Sequence, residues 1–255
     1  MKKNLKANIT WLALVLIIFF LLFGLISAGI IDIYYTQILM GIGISIIMAL
    51  GTNLVLGFSG QLSLGQAGFM AIGAYATAIL TTQNPTYAGF YLSIIVGMIV
   101  TATVALVVGI PTLRLKGDYL AIATLGVSEI IRKLIENGGD LTNGSRGIMG
   151  ILKYTTWPVV FVFVVLITIF VLNYLRSPMG REVLAVREDE IAAEAMGVNT
   201  TKIKVLTFMI AAVISSIAGS LYVGYIGTVA PKDFTIMKSI DFLIVAVLGG
   251  LSSVT

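Results

Sequence analysis

The stretch LVLGFSGQLSLGQAGF, residues 54–69, interrupts a chain that is otherwise strongly apolar. Runs that read as membrane helices lie on either side of it. Gly57, Gly60, Gly65 and Gly68 each weaken a helix by about 1 kcal/mol relative to alanine, and Ser59, Gln61, Ser63 and Gln66 make the interruption polar. Backbone facing lipid must be fully hydrogen-bonded, so an irregular segment at membrane depth is tolerated only against protein or a wet cavity. Two readings are open. The segment is a broken helix whose free ends line a solute path, or it is a short cytoplasmic turn between two spans. The two agree if the turn borders the path.

Composition sets the class. Of 255 residues 58% are hydrophobic and 11% are charged, where a soluble domain carries about a quarter charged residues. With a mean hydropathy of +1.04, the expectation is an all-α, polytopic transmembrane helical bundle. The chain holds no cysteine and no histidine, which excludes thiol and imidazole catalysis and the usual soft metal sites. No catalytic residue, metal or cofactor is expected. The net charge of +4 is small, and no basic stripe outside the loops suggests nucleic acid as a partner.

Working outward from the interruption, runs of about 20 apolar residues, the length a span needs, occur at about 9–31, 38–56, 61–81, 89–110, 156–175, 205–227 and 237–254. The first follows Lys2, Lys3 and Lys6 but is too long for the core of a secretion signal. A shorter run at 119–136 carries Glu129, Arg132, Lys133 and Glu136, spaced to pair along one helix face. The expectation is therefore about eight spans. With a cytoplasmic N-terminus, segments 111–118 and 176–204 lie inside. The inner segments then hold Arg114, Lys116, Arg176, Arg181, Arg187, Lys202 and Lys204 beside the three N-terminal lysines, in agreement with the positive-inside rule. Gly41, Ser45 and Ala49, and Ala67, Ala71, Ala74 and Ala78, form small-residue stripes of the kind that lets helices pack closely in lipid.

The sizeable water-exposed segment is RSPMGREVLAVREDEIAAEAMGVNTTKIK, residues 176–204. Ser177 before Pro178 is a helix start. A second short helix is predicted from Asp189 to Met196, with Glu188, Asp189 and Glu190 suited to the positive end of its dipole and Gly197 placed to stop it in a left-handed cap. Ile191 and Ala195 share one face, and Ala192 and Met196 another, a pattern that fits a shallow groove on another protein or a surface helix lying at the lipid boundary, between which loop length does not decide. Near the other end, VLGGLSSVT at 247–255 echoes VLGFSGQLS at 55–63. Paired interruptions of this kind point to a translocation site.

Four blocks carry a family resemblance: GFSGQLSLGQAGFMAIGAYATAIL; LRLKGDYLAIATLGVSEIIRKLIEN followed by LTNGSRGIMGI; GREVLAVREDEIAAEAMGVN; and VLGGLSS, in this order. From about residue 38 onward the chain resembles the branched-chain amino-acid ABC importer permeases of the LivM type. The resemblance implies a type II ABC importer permease-like bundle in one domain, 1–255, with the loop 176–204 as a coupling element within it. It implies four kinds of partner: a second, LivH-like permease, two cytoplasmic ATPase subunits, an extracytoplasmic solute-binding protein, and an amino-acid substrate. Glu190, Ala192, Ala193, Glu194 and Gly197 resemble the segment that docks on the ATPase. No G-x-x-x-x-G-K-[ST] phosphate loop is present, so ATP chemistry belongs to a separate subunit and the chain is a transport subunit, not an enzyme. The compartment implied is the cytoplasmic (inner) membrane of a prokaryote. Family members continue past the LGGLGS-like block, so C-terminal truncation is expected.

Under this reading Gly57, Ser59, Gly60, Ser63 and Gln66 meet the zwitterionic head of an aliphatic amino acid, Phe58, Leu62 and Phe69 wall its side chain, and Gln61 and Gly65 complete the translocation pathway. A permease for urea or short-chain amides is the alternative within the family. An ion-coupled secondary transporter would need an ionisable group in mid-span, for which Asn53 and Asp241 are the candidates, the latter able to pair with Lys238. A membrane-embedded enzyme would have to rely on carboxylates, which sit mostly in loops.

Overall fold

The computed structural model describes Val15, residues 17–29 and residues 31–253. The helices are α1 (Ile17–Ser27), α2 (Ile33–Asn53), α3 (Gln66–Gln83), α4 (Tyr87–Thr112), α5 (Asp118–Glu136), α6 (Trp157–Arg176), α7 (Pro178–Glu188), α8 (Glu190–Ala195), α9 (Thr200–Ile226) and α10 (Ile236–Leu248). Among the described residues the fold is all-α but for a two-residue antiparallel clip that pairs Ile148 with Val229 and Met149 with Thr228. Each apolar run expected to span has a helix. Of the first run, residues 9–14, 16 and 30 lie outside the described residues, as do Lys2, Lys3, Lys6, Val254 and Thr255.

Among the described residues, four helical stretches are long and apolar enough to cross a membrane: Ile33–Phe58, Tyr87–Thr112, Trp157–Arg176 and Thr200–Ile226. The other expected runs form helices of a different character. α3 is enclosed by α4, α5, α9 and α10, so it meets protein and tolerates threonine and glutamine at its ends. α5 carries the predicted charges, and they pair as their spacing demands: Arg132 with Glu129 at 2.7 Å and with Glu136 at 3.5 Å, and Lys133 with Glu136 at 2.7 Å. α10 has 13 residues.

Side chains start the helices. Thr86 Oγ1 accepts from the Gly89 N–H at 3.0 Å, and Asn199 Oδ1 accepts from that of Lys202 at 2.9 Å, each satisfying a donor that a helix start leaves free. Ser177 does the same for Gly180 at 3.2 Å, with Pro178 as the first residue of α7.

α9 is the centre of the bundle, with α2, α3 and α4 against it. Its crossing with α3 is backbone on backbone. A Cβ at Gly73 would collide with the Ser216 carbonyl, and one at Gly219 with that of Met70. Two buried hydroxyls join the helices where they touch: Ser220 Oγ donates to Gly73 O at 3.1 Å, and Ser215 Oγ to Gln66 Oε1 at 2.6 Å. The stripe Ala67, Ala71, Ala74 and Ala78 is fully buried. The stripe Gly41, Ser45 and Ala49 instead lines an open groove of about 580 Å³ between α2 and α10.

Candidate functional site

The interruption begins inside α2. Past Asn53 the helix widens into a five-residue π turn, Leu54–Phe58, of the sort often found at functional sites. The Gln61 N–H closes it on Val55 O at 3.0 Å. Gly60 takes φ +66°, which favours glycine, and residues 61–65 run on without helical structure until α3 starts at Gln66.

Neighbouring helices supply partners to the backbone of this non-helical stretch. The Leu64 N–H donates to Thr124 Oγ1 of α5 at 3.0 Å, and the Ala67 N–H, just inside α3, to Ser239 Oγ of α10 at 3.2 Å. Gly65 and Gly68 press on α5, where Cβ atoms would stand 3.0 Å from Thr124 O and 2.8 Å from Ser128 Cα. Buried backbone donors need partners, and here serine and threonine side chains meet that need. Ser59, Gln61, Ser63 and Gln66 are all buried. Gln61 donates to Ser59, and Gln66 accepts from Ser215. Among the described residues, Gln61 Oε1 and Gln66 Nε2 have no hydrogen-bond partner, an uncommon condition for buried polar atoms.

The interruption has two ends with different surroundings. Gly65 and Gln66 lie among α5, α9 and α10. Phe58 and Gly60 lie against the loop helices, and Gly57 against Asn53 and the turn at Ser252. Phe58 belongs to a small core with Val183, Val186, Ala193 and Ile203, so it packs on α7, α8 and the start of α9.

The loop folds as its sequence implies. Asp189 Oδ1 accepts from the N–H groups of Ile191 at 2.9 Å and Ala192 at 3.0 Å. Gly197 follows α8 at φ +87°. Ala193 is buried, whereas Ala192, Glu194 and Gly197 are exposed. Ile191 and Met196 are 78% and 84% exposed. Glu190 faces its own bundle: it accepts from Lys204 Nζ at 2.6 Å and pairs with Lys116 at 3.1 Å. The hydrogen bond from Lys204 is the main cause, and Lys116 a further one, of a carboxyl held below its ordinary range.

Of the sequence-predicted residues, the structure brings together Phe58 and Ala193, in one core, and leaves Ala192, Glu194 and Gly197 on the outer side of the loop. Asn53 is not an open polar group in mid-span. Its Nδ2 donates to Ser253 O at 2.6 Å and Gly250 O at 3.3 Å, and its Oδ1 accepts from the Ser252 N–H at 3.0 Å. The expected Asp241–Lys238 pair is not among the described ion pairs; the Lys238 ammonium lies over the Phe242 ring, 5.4 Å from its centroid. Sequence reasoning missed Arg187, whose guanidinium donates to Ser252 Oγ, and Lys204. The echo between 55–63 and 247–255 was the one signal that could have linked Ser252 to the interruption, because those two stretches meet.

Residues 34–255 match the family described as branched-chain amino acid transport system / permease component. The chain is 37% identical over 216 residues to the high-affinity branched-chain amino acid transport system permease protein LivM of Salmonella typhimurium, and 36% identical over 216 residues to that of Escherichia coli. Both alignments take in 71% of this chain and 50% of the relative. A probable branched-chain amino acid transport permease protein LivM of Methanocaldococcus jannaschii is 30% identical over 171 residues, 62% of this chain and 49% of the relative. The chain thus spans about half the length of the curated relatives it matches. No solved structure matches it.

Proposed function

The chain belongs to the branched-chain amino-acid transport permease family, and from that premise we propose that it is a membrane-spanning permease subunit of an ATP-driven importer. It carries aliphatic, branched-chain amino acids across the cytoplasmic membrane of a prokaryote, with its N-terminus and residues 176–204 on the cytoplasmic side. Separate subunits hydrolyse ATP, and an external binding protein delivers the solute. One observation supports this most: the loop helix α8 and the π turn share a core through Ala193 and Phe58. A force applied to α8 by an ATPase therefore reaches the interruption through packed side chains, and packed cores shift between discrete arrangements instead of deforming continuously.

The interruption is the proposed solute path. Gly57, Ser59, Gly60, Gln61, Ser63, Gly65 and Gln66 offer backbone and amide groups to an ammonium and a carboxylate. The unpartnered Gln61 Oε1 and Gln66 Nε2 support this, as an acceptor and a donor without partners. Glu190, Ala192, Ala193, Glu194 and Gly197 form the ATPase-coupling segment, with Glu190 fastening it to the bundle and Ala193 transmitting its movement. The groove along Gly41, Ser45 and Ala49 is the face assigned to the second permease, since small residues let a partner's backbone approach closely.

The test is reconstitution of the chain with its second permease, ATPases and binding protein in proteoliposomes. ATP-dependent accumulation of leucine, in competition with valine and isoleucine and indifferent to ionophores, is expected. Competition by urea or short amides in place of valine moves the reading to the amide permeases. Uptake that collapses with an ionophore and survives without ATP overturns it.

A further inference from the structure

Three parts of the chain that are far apart in sequence meet at Ser252. Its hydroxyl donates to Gly57 O at 2.8 Å, within the π turn, and accepts from Arg187 of α7. The Ser252 N–H is held by Asn53 Oδ1 at the end of α2, and Asn53 Nδ2 holds the carbonyls of Gly250 and Ser253. The Arg187 stem covers the bend itself: a Cβ at Gly60 would lie 3.2 Å from Arg187 Cγ and 3.8 Å from its Cβ. The arrangement is closed to additions, because a Cβ at Gly57 would collide with Asn53 Oδ1 and come 2.7 Å from the Ser252 nitrogen. Ser252 is held at φ +64°, a conformation unfavourable for a residue with a side chain that persists where surrounding bonds fix it.

Burial does not explain Arg187. The residue is exposed, so an alanine there leaves no cavity. Its position does two things at once: it ties α7 to the turn at 250–253, and through Ser252 it fixes a carbonyl of the π turn. A π turn closes i→i+5 bonds in place of i→i+4, is rare, and occurs frequently at functional sites.

We propose that Arg187 is a positioning residue whose relay through Ser252 to Gly57 carries movement of the loop to the bend at 57–60, holding the π turn while α7 is docked and releasing it when α7 withdraws. The inference rests on the permease reading above and adds a second route beside the Phe58 core. Arg187 and Ser252 lend no group to the proposed path, and the relay reaches it only at Gly57 O. Its effect is on how much transport each ATP drives.

The experiment uses the complete reconstituted importer and reads leucine moved per ATP hydrolysed. Arg187→Ala and Ser252→Ala are each expected to lower that ratio by about fivefold or more, the size of a modest coupling free energy. The double variant falls no further than the worse single one, Arg187→Lys restores part of the ratio, and the KM for leucine and the recovery of assembled complex stay unchanged. Singles at the wild-type ratio, or losses that multiply in the double variant, overturn the relay. A wild-type importer that moves no leucine overturns the permease reading and the relay with it; a working wild type with indifferent variants overturns the relay alone.

Discussion

Phe58, the last residue of the π turn, and Ala193, in the middle of α8, are buried in one small core. One comes from the interruption in the bundle and the other from the loop that leaves it. With Val183, Val186 and Ile203 they form a unit apart from the main core, which the same π turn enters through Leu54 and Val55.

Phe58→Ala tests that connection. Removing a buried phenylalanine costs about 3–5 kcal/mol where the site cannot collapse. The loss here falls on the small core and not on the α3–α9 crossing. Faster proteolysis within residues 176–204 and reduced leucine uptake are expected, with membrane insertion unchanged. Proteolysis at the wild-type rate would mean that the loop is held by something other than this core.

How much of this could be read from the sequence depends on the distance over which each feature is decided. Helix positions were legible because apolar runs and their caps are local: Ser177, Asp189 and Gly197 stand where the spacing put them. The break at 54–69 was legible because glycine and glutamine have no place in a lipid-facing helix. Its surroundings were not. The acidic start of α8 was read as a match to the helix dipole, yet Glu190 is fixed by Lys204 and Lys116, and bonds between separate elements leave no periodic trace. Lys238 had Asp241 three residues on and Phe242 four residues on, and the ring took it. The two small-residue stripes looked alike in sequence; one is enclosed by neighbouring helices and the other borders an open groove.

Glu190 gives the attachment of α8 a pH dependence. Its carboxyl is held below the ordinary range, first by the hydrogen bond from Lys204 and then by Lys116. A lowered folded-state value means stability that is present above the unfolded value and lost as pH falls through the folded one. Residues 176–204 should therefore resist limited proteolysis at neutral pH and lose that protection on acidification below the ordinary carboxylate range. Glu190→Gln should remove the transition, and Glu190→Lys should place three cations together and expose the loop at every pH. Identical pH profiles for wild type and Glu190→Gln would rule out this carboxylate as the source.

The backbone crossing of α3 and α9 predicts opposite responses to small substitutions at two glycines. Gly219→Val drives a side chain into the Met70 carbonyl and should cost about 1–3 kcal/mol or more through overpacking. Gly126, within α5, has nothing within 4 Å of its Cβ position, so Gly126→Ala should be neutral or gain about 1 kcal/mol from helix propensity. Thermal unfolding in detergent reads both, as a lower midpoint for the first and an equal or higher one for the second. Equal shifts of the same sign would contradict the crossing.

Docking of the ATPase is predicted to run through two side chains that the fold leaves uncovered. Ile191, in the six-residue helix α8, and Met196, the residue after it, are 78% and 84% exposed, and the helix is held on its other side by Ala193 and Glu190. Large apolar side chains set centrally in a docking surface carry much of its binding energy, and truncating one commonly costs 2 kcal/mol or more, about thirtyfold in affinity. Ile191→Asp and Met196→Asp add a charge at positions already in water, so α8 and its caps should survive, with protease resistance of the loop at the wild-type level. Recovery of the ATPase with the purified permease should fall sharply in each variant, and leucine-dependent ATP hydrolysis with it. Glu188→Gln, at the end of α7, removes a charge near α8 without touching either knob and should bind normally. An ATPase that copurifies undiminished with both aspartate variants would place the docking face elsewhere on residues 176–204 and leave the exposed knobs without this role.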